Sequence, residues 1–318
     1  MKLQRATAWV YALLAALALA APLLGLYPVF MMKLLCYALF ACAFNLLLGY
    51  TRMLSFGHAA FFGAAAYVTG WLISTRGWGT LSGILGGVVV ALLLGAVIGA
   101  IAVRRRGIYF AMITLALAQL VYFVCLESSF TGGENGLQAI PRGHLFGFID
   151  LGRDGTMYYF VLALFVGAYL LIRRIVQSPF GQVLKAIREN EPRAISLGYR
   201  VDRYKLLAFT LSAGLAGLAG ALKALVLGFA TLSDVSQGTS GDVILMTMLG
   251  GSGTFLGPLV GSGVVLTLEE YLSDRVGAWA TVIIGVIFVV CVMVFRRGFV
   301  GEIERRFGRS TTPADKPG

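Results

Sequence analysis

The chain has 318 residues, of which 58% are hydrophobic and 13% are charged, and its mean hydropathy is +0.83. A soluble core with a hydrated surface does not reach these values, so a soluble fold is excluded and a membrane protein is predicted. The formal net charge of +11 suits nucleic acid or anionic lipid as a partner, and its distribution decides between them.

Eight apolar runs are long enough to cross a hydrocarbon layer about 30 Å thick. They cover residues 8–26, 29–50, 54–74, 81–103, 108–127, 157–176, 206–229 and 277–295. A further apolar stretch, 242–271, is interrupted by four glycines and Pro258, which predicts a broken pair of short helices, either a re-entrant hairpin or two short crossings. We therefore predict an all-α, polytopic membrane protein of about 8–10 transmembrane helices. One membrane domain covers 1–300, and 301–318 forms a short disordered tail.

The N-terminus also has features of a secretory signal. Lys2 and Arg5 precede an apolar core, and Ala18-Leu19-Ala20 is a candidate cleavage site. The apolar run is long for a signal and further spans follow at once, so we expect the segment to be retained. Cleavage would remove one helix and leave the orientation of the others unchanged.

The distribution of Lys and Arg predicts the orientation of the spans. With the N-terminus inside, 20 of the 26 basic residues lie on the cytoplasmic side, including 104–106, 173–205 and the tail from 296. The same arrangement places 9 of the 15 acids outside or near the outer face. An even number of crossings in 242–271, or a re-entrant loop, keeps the tail inside. Both termini are therefore predicted to be cytoplasmic. The positive charge is explained by the preference of Lys and Arg for the cytoplasmic side of a membrane protein, so no nucleic-acid partner is needed to account for it.

Enzyme motifs are absent from the sequence. The glycine-rich runs 214–220 and 250–257 lack the Lys and Ser/Thr of a phosphate-binding loop, and there is no HExxH or G-x-S-x-G. The four cysteines form no CxxC pair, so no metal site is predicted. No catalytic residue is predicted. The hypothesis that the chain is a membrane enzyme or a scaffold therefore has no supporting site in the sequence.

Ionisable residues inside the spans would indicate an ion-coupled carrier. Lys33, Lys223, Glu127 and the pair 269–270 lie near predicted helix ends, where extension of the side chain to the interface explains them. His58 lies well inside an apolar run. One imidazole does not make a proton relay, so we favour a structural hydrogen bond for His58 over a role in a permeation path.

The long basic loop 178–205, SPFGQVLKAIRENEPRAISLGYRVDRYK, is punctuated by Pro and Gly. Pro179 fits the start of a helix over 180–190, and Pro192 begins a second short helix that Gly198 ends. A helix, turn and helix on the membrane surface is a good docking element. The alternative is an ordinary basic loop held by anionic lipid, which explains the charge but not the punctuation.

At this loop the sequence resembles a known family. GQVLKAIRENEPRAISLGYRVDRYKLLAFTLSAGLAGLAGAL, at 181–222, resembles the coupling region of the LivM-type permeases of branched-chain amino-acid ABC importers. Three more stretches resemble the same family: LLLGYTRMLSFGHAAFFGAAAYV at 46–68, TGGENGL at 131–137 and GDVILMTMLGGSGTFLGPLVGSGVV at 241–265. Together they cover most of the chain from Asn45 to about Leu272, in the order found in the family.

The resemblance implies that the loop docks in a cleft of a separate ATP-binding subunit, whose ATP and Mg²⁺ drive alternating access; this chain itself binds no cofactor. The coupling residues that it implies are Arg188, Glu189, Asn190, Glu191, Ala194 and Gly198. Ala194 and Gly198 fit the last Ala and Gly of the E-A-A-x-x-x-G pattern of ABC importers, whereas Pro192 and Arg193 replace its opening pair.

The resemblance further implies a bacterial inner-membrane location, a second homologous permease chain, and a periplasmic substrate-binding protein at the outer face. The connections 127–154 and 230–242 are candidate contacts for that protein, or plain solvated connections. Relatives carry leucine, isoleucine and valine, and similar chains carry other amino acids, amides or urea.

Polar residues among apolar ones are candidates for the permeation path: Asn45, Ser55, His58, Thr131, Gly132, Gly133 and Asn135, with Thr69, Thr114 and Gln119 as further ones. Residues 131–136 would shape its outer mouth. Each polar side chain inside a span has an alternative role as a helix-to-helix hydrogen bond. The alternative function is a stand-alone secondary carrier or channel for a small polar solute.

Overall fold

The computed structural model describes residues 19, 27–145, 149–277, 279–294 and 298–300. Within these residues the helices are α1 (Pro28–Thr51), α2 (His58–Ser74), α3 (Thr80–Ala102), α4 (Ile108–Glu127), α5 (Asp154–Gln177), α6 (Pro179–Glu189), α7 (Glu191–Ser196), α8 (Val201–Leu227), α9 (Gln237–Gly250), α10 (Gly257–Val276) and α11 (Trp279–Val294). Short 3-10 turns at Ser129–Thr131, Gly133–Asn135 and Leu232–Val235, and the paired strands β1 (His144–Leu145) and β2 (Ile149–Asp150), lie in the connections.

The predicted all-α, polytopic fold is confirmed. Helices α1, α3, α4, α5 and α8 are long and apolar enough to cross a membrane. Helix α8 begins five residues before the predicted span, so the predicted loop 178–205 includes its first turn. The predicted tail 301–318 and all but Leu19 of the predicted span 8–26 lie outside the described residues.

The core is built by close helix crossings around α1, α2 and α8. A Cβ added at Gly220 of α8 would lie 1.9 Å from the carbonyl oxygen of Phe62 in α2, and one at Gly217 would lie 2.3 Å from the Cβ of Ala91 in α3. Only a residue without a side chain permits these approaches. In lipid, where helices gain little from hydrophobic association, such backbone proximity supplies the van der Waals contact that holds them together.

The end of the bundle that carries α6 and α7 is called the loop end here, and the opposite one the far end. Helix α2 begins inside the bundle, because His58 bonds to Ser212 in the middle of α8. Helix α9 also begins inside, because the Ser240 hydroxyl accepts a hydrogen bond from the N–H of Ala59, at 3.0 Å. Helix α2 runs from there to the far end and α9 runs to the loop end. The two short helices therefore start beside one another and point in opposite directions.

The predicted broken pair in 242–271 is confirmed as two antiparallel helices, α9 and α10. The break contains Gly251 and Gly253, with φ of 119° and 83°, a region that favours glycine. The break lies at the loop end, and α10 returns to the far end, where Lys33 of α1 pairs with Glu270 at 3.3 Å. Beyond α11, Gly298 lies against the backbone of Gly251. The chain therefore returns to the loop end after α11.

Candidate functional site

Local sequence determines the conformation of the α6–α7 pair. Ser178 caps the start of α6, just before Pro179. Its hydroxyl accepts a hydrogen bond from the N–H of Gly181 at 3.4 Å. The side-chain oxygen of Asn190 accepts one from the N–H of Arg193 at 3.0 Å and caps α7. Gly198 then ends the pair with φ +87°. The predicted helix, turn and helix is confirmed as secondary structure.

Three of the residues predicted for coupling attach this pair to the bundle. The guanidinium of Arg188 donates a hydrogen bond to the carbonyl of Gly49 at the end of α1. The carboxylate of Glu191 pairs with Lys205 at 2.8 Å and with Arg106 at 3.2 Å. Ala194 is buried in a small cluster with Ile187 and Val201. These contacts attach the pair to α1, to the segment before α4 and to α8.

The other three residues predicted for coupling, Glu189, Asn190 and Gly198, lie on the exposed side of the pair. Beside them the structure exposes apolar side chains that the sequence reasoning did not select. Leu197 is 68% exposed, and Ile195 and Tyr199 are also exposed. The sequence did contain a signal for them, because these large apolar residues stand in an otherwise polar loop. We call Ile195, Leu197 and Tyr199 the apolar tip. Exposed apolar side chains grouped on an otherwise polar element are typical of a protein-binding surface.

Asn45 of α1 holds the break between α9 and α10. Its side-chain amide donates a hydrogen bond to the carbonyl of Thr254 at 2.9 Å, and its side-chain oxygen accepts one from the N–H of Gly253 at 2.8 Å. An added Cβ at Gly253 would lie 2.9 Å from the Arg188 guanidinium, so α6 approaches the same place. Helix α6, the end of α1 and the helix break therefore meet at one point.

Replacement of Asn45 by leucine (Asn45→Leu) should lower the free energy of unfolding by about 2–3 kcal/mol, because two part-buried backbone groups of the break lose their partner. Thermal unfolding of the purified chain in detergent would measure the change. Thr247→Val is the matched control, since it removes one hydrogen bond, to the Ala41 carbonyl, and should cost about 1 kcal/mol. Equal losses in the two variants would contradict this role of Asn45.

His58 forms a buried chain of hydrogen bonds between three helices. The Ser212 hydroxyl donates its single proton to the carbonyl of Ala43 at 2.5 Å, so it must accept from the Nε2–H of His58 at 2.8 Å. This assigns the tautomer with the proton on Nε2. The buried Nδ1 has no partner among the described residues. The structural hydrogen bond favoured for His58 is therefore present.

The remaining residues predicted for the path lie in two places. Ser55 is buried beside α2, and its hydroxyl accepts a hydrogen bond from the N–H of Gly57 at 3.3 Å. The buried hydroxyl of Thr131 donates to the carbonyl of Cys125 or Ser128. Gly133 is half-buried and Asn135 is exposed, both in the second 3-10 turn at the far end, and the exposed Gly132 lies between the two turns. Among the further candidates, Thr69 donates to Gly83, Thr114 donates to Ala111, and Gln119 is half-buried on α4.

The expectation that Lys223 extends to the interface is wrong. Its ammonium pairs with Asp234 at 2.7 Å, and the two side chains are 4% and 5% exposed. The same carboxylate oxygen accepts a hydrogen bond from the N–H of Thr231 at 3.0 Å. The pair joins α8 to the segment that precedes α9. The sequence reasoning missed it because Asp234 lies in a predicted connection, eleven residues from Lys223.

The two connections predicted as candidate contacts for a binding protein are joined to each other. Leu137 and Ala230 exchange two backbone hydrogen bonds of 2.9 Å, and the N–H of Ile140 donates to the carbonyl of Gly228 at 2.8 Å. Gly136, with φ +68°, packs against the Ala230 carbonyl. At the far end, residues 131–140 thus form one surface with the segment after α8.

A polytopic all-α bundle, two oppositely directed helices that begin inside it, and a helix pair attached at one end together define a multi-pass membrane protein of the permease class. The profile of the family described as the permease component of the branched-chain amino acid transport system matches residues 27–292. The chain belongs to this family.

Individual relatives agree with the family assignment. The high-affinity branched-chain amino acid transport system permease protein LivM of Escherichia coli is 29% identical over 261 residues, which cover 75% of this chain and 61% of the relative. The probable LivM of Methanocaldococcus jannaschii is 26% identical and covers 55% and 52%. The autoinducer 2 import system permease protein LsrC of Salmonella typhi is 26% identical and covers 69% and 66%. The chain thus spans about three fifths of the length of the E. coli relative. No solved structure matches the chain.

Proposed function

We propose that this chain is the transmembrane permease subunit of an ATP-driven importer for branched-chain or related amino acids. The observation that carries the proposal is the α6–α7 pair, which is fixed to the bundle by Arg188 and Glu191 and carries the exposed apolar tip Ile195, Leu197 and Tyr199. A separate ATP-binding subunit docks on this tip and binds ATP and Mg²⁺. This chain binds neither and catalyses no reaction.

In the proposed mechanism, movement of the docked subunit reaches the membrane through Arg188. Its guanidinium contacts the end of α1 and lies beside the break at Gly253, so a displacement of α6 acts on α1 and on the α9–α10 pair together. Glu189, Asn190 and Gly198 contribute the exposed coupling contacts. Rocking of the short helices against the longer ones then alternates the access of solute.

The proposed location is the bacterial inner membrane, with the loop end and both termini in the cytoplasm. The basic run 104–106 and Arg52 support this orientation because they lie at the same end as α6 and α7. A periplasmic binding protein delivers the solute to the far end, where residues 127–154 form its main contact surface. Of the second predicted contact, 230–242, the part from Gln237 onward belongs to α9, which begins inside the bundle. A second, homologous permease chain completes the path, and the surrounding lipid is the other partner.

Reconstitution of the complex in liposomes tests this function. Uptake of a branched-chain amino acid should require ATP, the ATP-binding subunit and loaded binding protein, because no energy source lies in this chain. Liposomes that contain this chain alone are the control and should show no uptake under an ion gradient. Gradient-driven uptake by the chain alone would refute the proposal.

That refuting outcome would instead establish the second candidate, a secondary carrier. The observation that favours a carrier is the buried Lys223–Asp234 pair, because charged residues inside a membrane domain often serve ion coupling. We prefer the importer because both charges already have a partner and because Asp234 also binds the backbone of its own segment.

A further inference from the structure

A basic cavity of about 600 Å³ lies at the loop end, between the segment after α1, the start of α4 and the α6–α7 pair. Its charged lining consists of Arg52, Arg105, Arg106, Arg188, Lys205 and Glu191. Five cations thus face a single carboxylate. Glu191 is already paired with Lys205 and Arg106, so it leaves most of the positive charge uncompensated.

Two of these cations are available for a ligand. Within the described part of the chain, neither Arg52 nor Arg105 has an acidic partner, and both are exposed. Arg52 follows the last residue of α1 and has φ +57°, a left-handed conformation that is uncommon for residues other than glycine. The N-terminus of the 20-residue helix α4 also borders the cavity, at Gly107 and Ile108. Its free N–H groups and dipole favour an anion at the same place.

Apolar side chains surround the cavity, and the cavity lies at the level of lipid headgroups. Leu54, Phe56 and Ile108 contribute to its wall. On the outside of α4, the side chains of Ile108, Tyr109 and Met112 are 71%, 68% and 60% exposed. A membrane-crossing helix begins here, which is the level at which lipid headgroups lie, and an exposed tyrosine is typical of that level.

We propose that the cavity binds the phosphate headgroup of an anionic phospholipid, whose acyl chains lie along the exposed face of α4. Arg52 and Arg105 bind the phosphate oxygens, and the α4 N-terminus contributes backbone N–H groups. Because Arg188 and Lys205 belong to both the cavity and the attachment of α6–α7, a bound headgroup stabilises that attachment. Basic pockets between membrane helices on the cytoplasmic side are suited to such headgroups.

Native mass spectrometry of the full, delipidated chain in detergent tests the site with phosphatidylglycerol as the probe. The double variant Arg52→Gln/Arg105→Gln should bind it at least about tenfold more weakly, since two charge-assisted hydrogen bonds are lost. The control Arg200→Gln/Arg203→Gln removes the same charge at the same end outside this cavity and should change binding by less than about twofold. A melting curve verifies that both variants are folded.

Three results would overturn the proposal. Equally weakened phosphatidylglycerol binding in both double variants would mean that the lipid is attracted nonspecifically by positive charge. Binding of inorganic phosphate that displaces the lipid would mean a site for a free anion. Unchanged lipid binding with weaker assembly onto the ATP-binding subunit would mean that an acidic protein segment occupies the cavity. The binding measurement requires no transport activity, so its outcome is independent of the proposed function.

Discussion

Leu197→Glu should strongly reduce the stimulation of ATP hydrolysis by loaded binding protein in the reconstituted complex. Leu197 is 68% exposed at the apolar tip of the α6–α7 pair, so its side chain contributes little to the packing of the described residues. A charge at the centre of an apolar docking surface costs about 2 kcal/mol or more, which weakens docking by about 30-fold. The measurement is ATPase activity with and without binding protein.

Gln182→Glu is the matched control for this variant, because it adds the same charge at an exposed polar position of α6. Its stimulation should stay near that of the unmodified complex. A second variant, Gly198→Val, keeps the charge and instead strains the φ of +87° that ends the pair. It should also reduce stimulation by displacing the tip. Full stimulation in Leu197→Glu would remove the docking role of this surface.

Lys223→Met should lower the free energy of unfolding by about 3–5 kcal/mol, because it leaves the buried carboxylate of Asp234 without its cation. The segment between α8 and α9 would lose its attachment to α8, so import should fall as well. Steric trapping or thermal unfolding of the purified chain in detergent measures the first effect, and uptake by the reconstituted complex measures the second.

Two further variants make this test specific. In Lys223→Met/Asp234→Asn the buried charge is gone and the amide oxygen still accepts the N–H of Thr231, so more than half of the lost stability should return. Lys33→Met breaks the exposed pair with Glu270 and should cost about 1 kcal/mol or less. If Lys223→Met cost no more than Lys33→Met, the pair would have no structural role.

Local features of this protein could be predicted from its sequence. The spans follow from apolar runs of sufficient length, and observed bounds such as Thr80–Ala102 lie within one residue of the predicted 81–103. Ser178, Pro179, Asn190 and Gly198 determine the α6–α7 pair through caps and backbone preferences that act over a few residues. The glycines at the break act in the same local way.

Long-range partners could not be predicted in this way. The carbonyl that Asn45 binds lies 209 positions away, and the one that Arg188 binds lies 139 positions away. The burial of Ala194 and the pairing of Lys223 depend likewise on how separate segments meet.

The sequence by itself thus determined the all-α membrane class, the family and the helices of the α6–α7 pair. Hydrophobic length, charge bias and capping are properties of contiguous residues, so each can be interpreted before any packing is known. Only the tertiary structure decided that α2 and α9 begin inside the bundle, that Asn45 holds the helix break, and that basic residues from four segments surround one cavity. These features depend on crossings between distant helices, where glycines such as Gly220 permit backbones to touch and so determine which side chains come together.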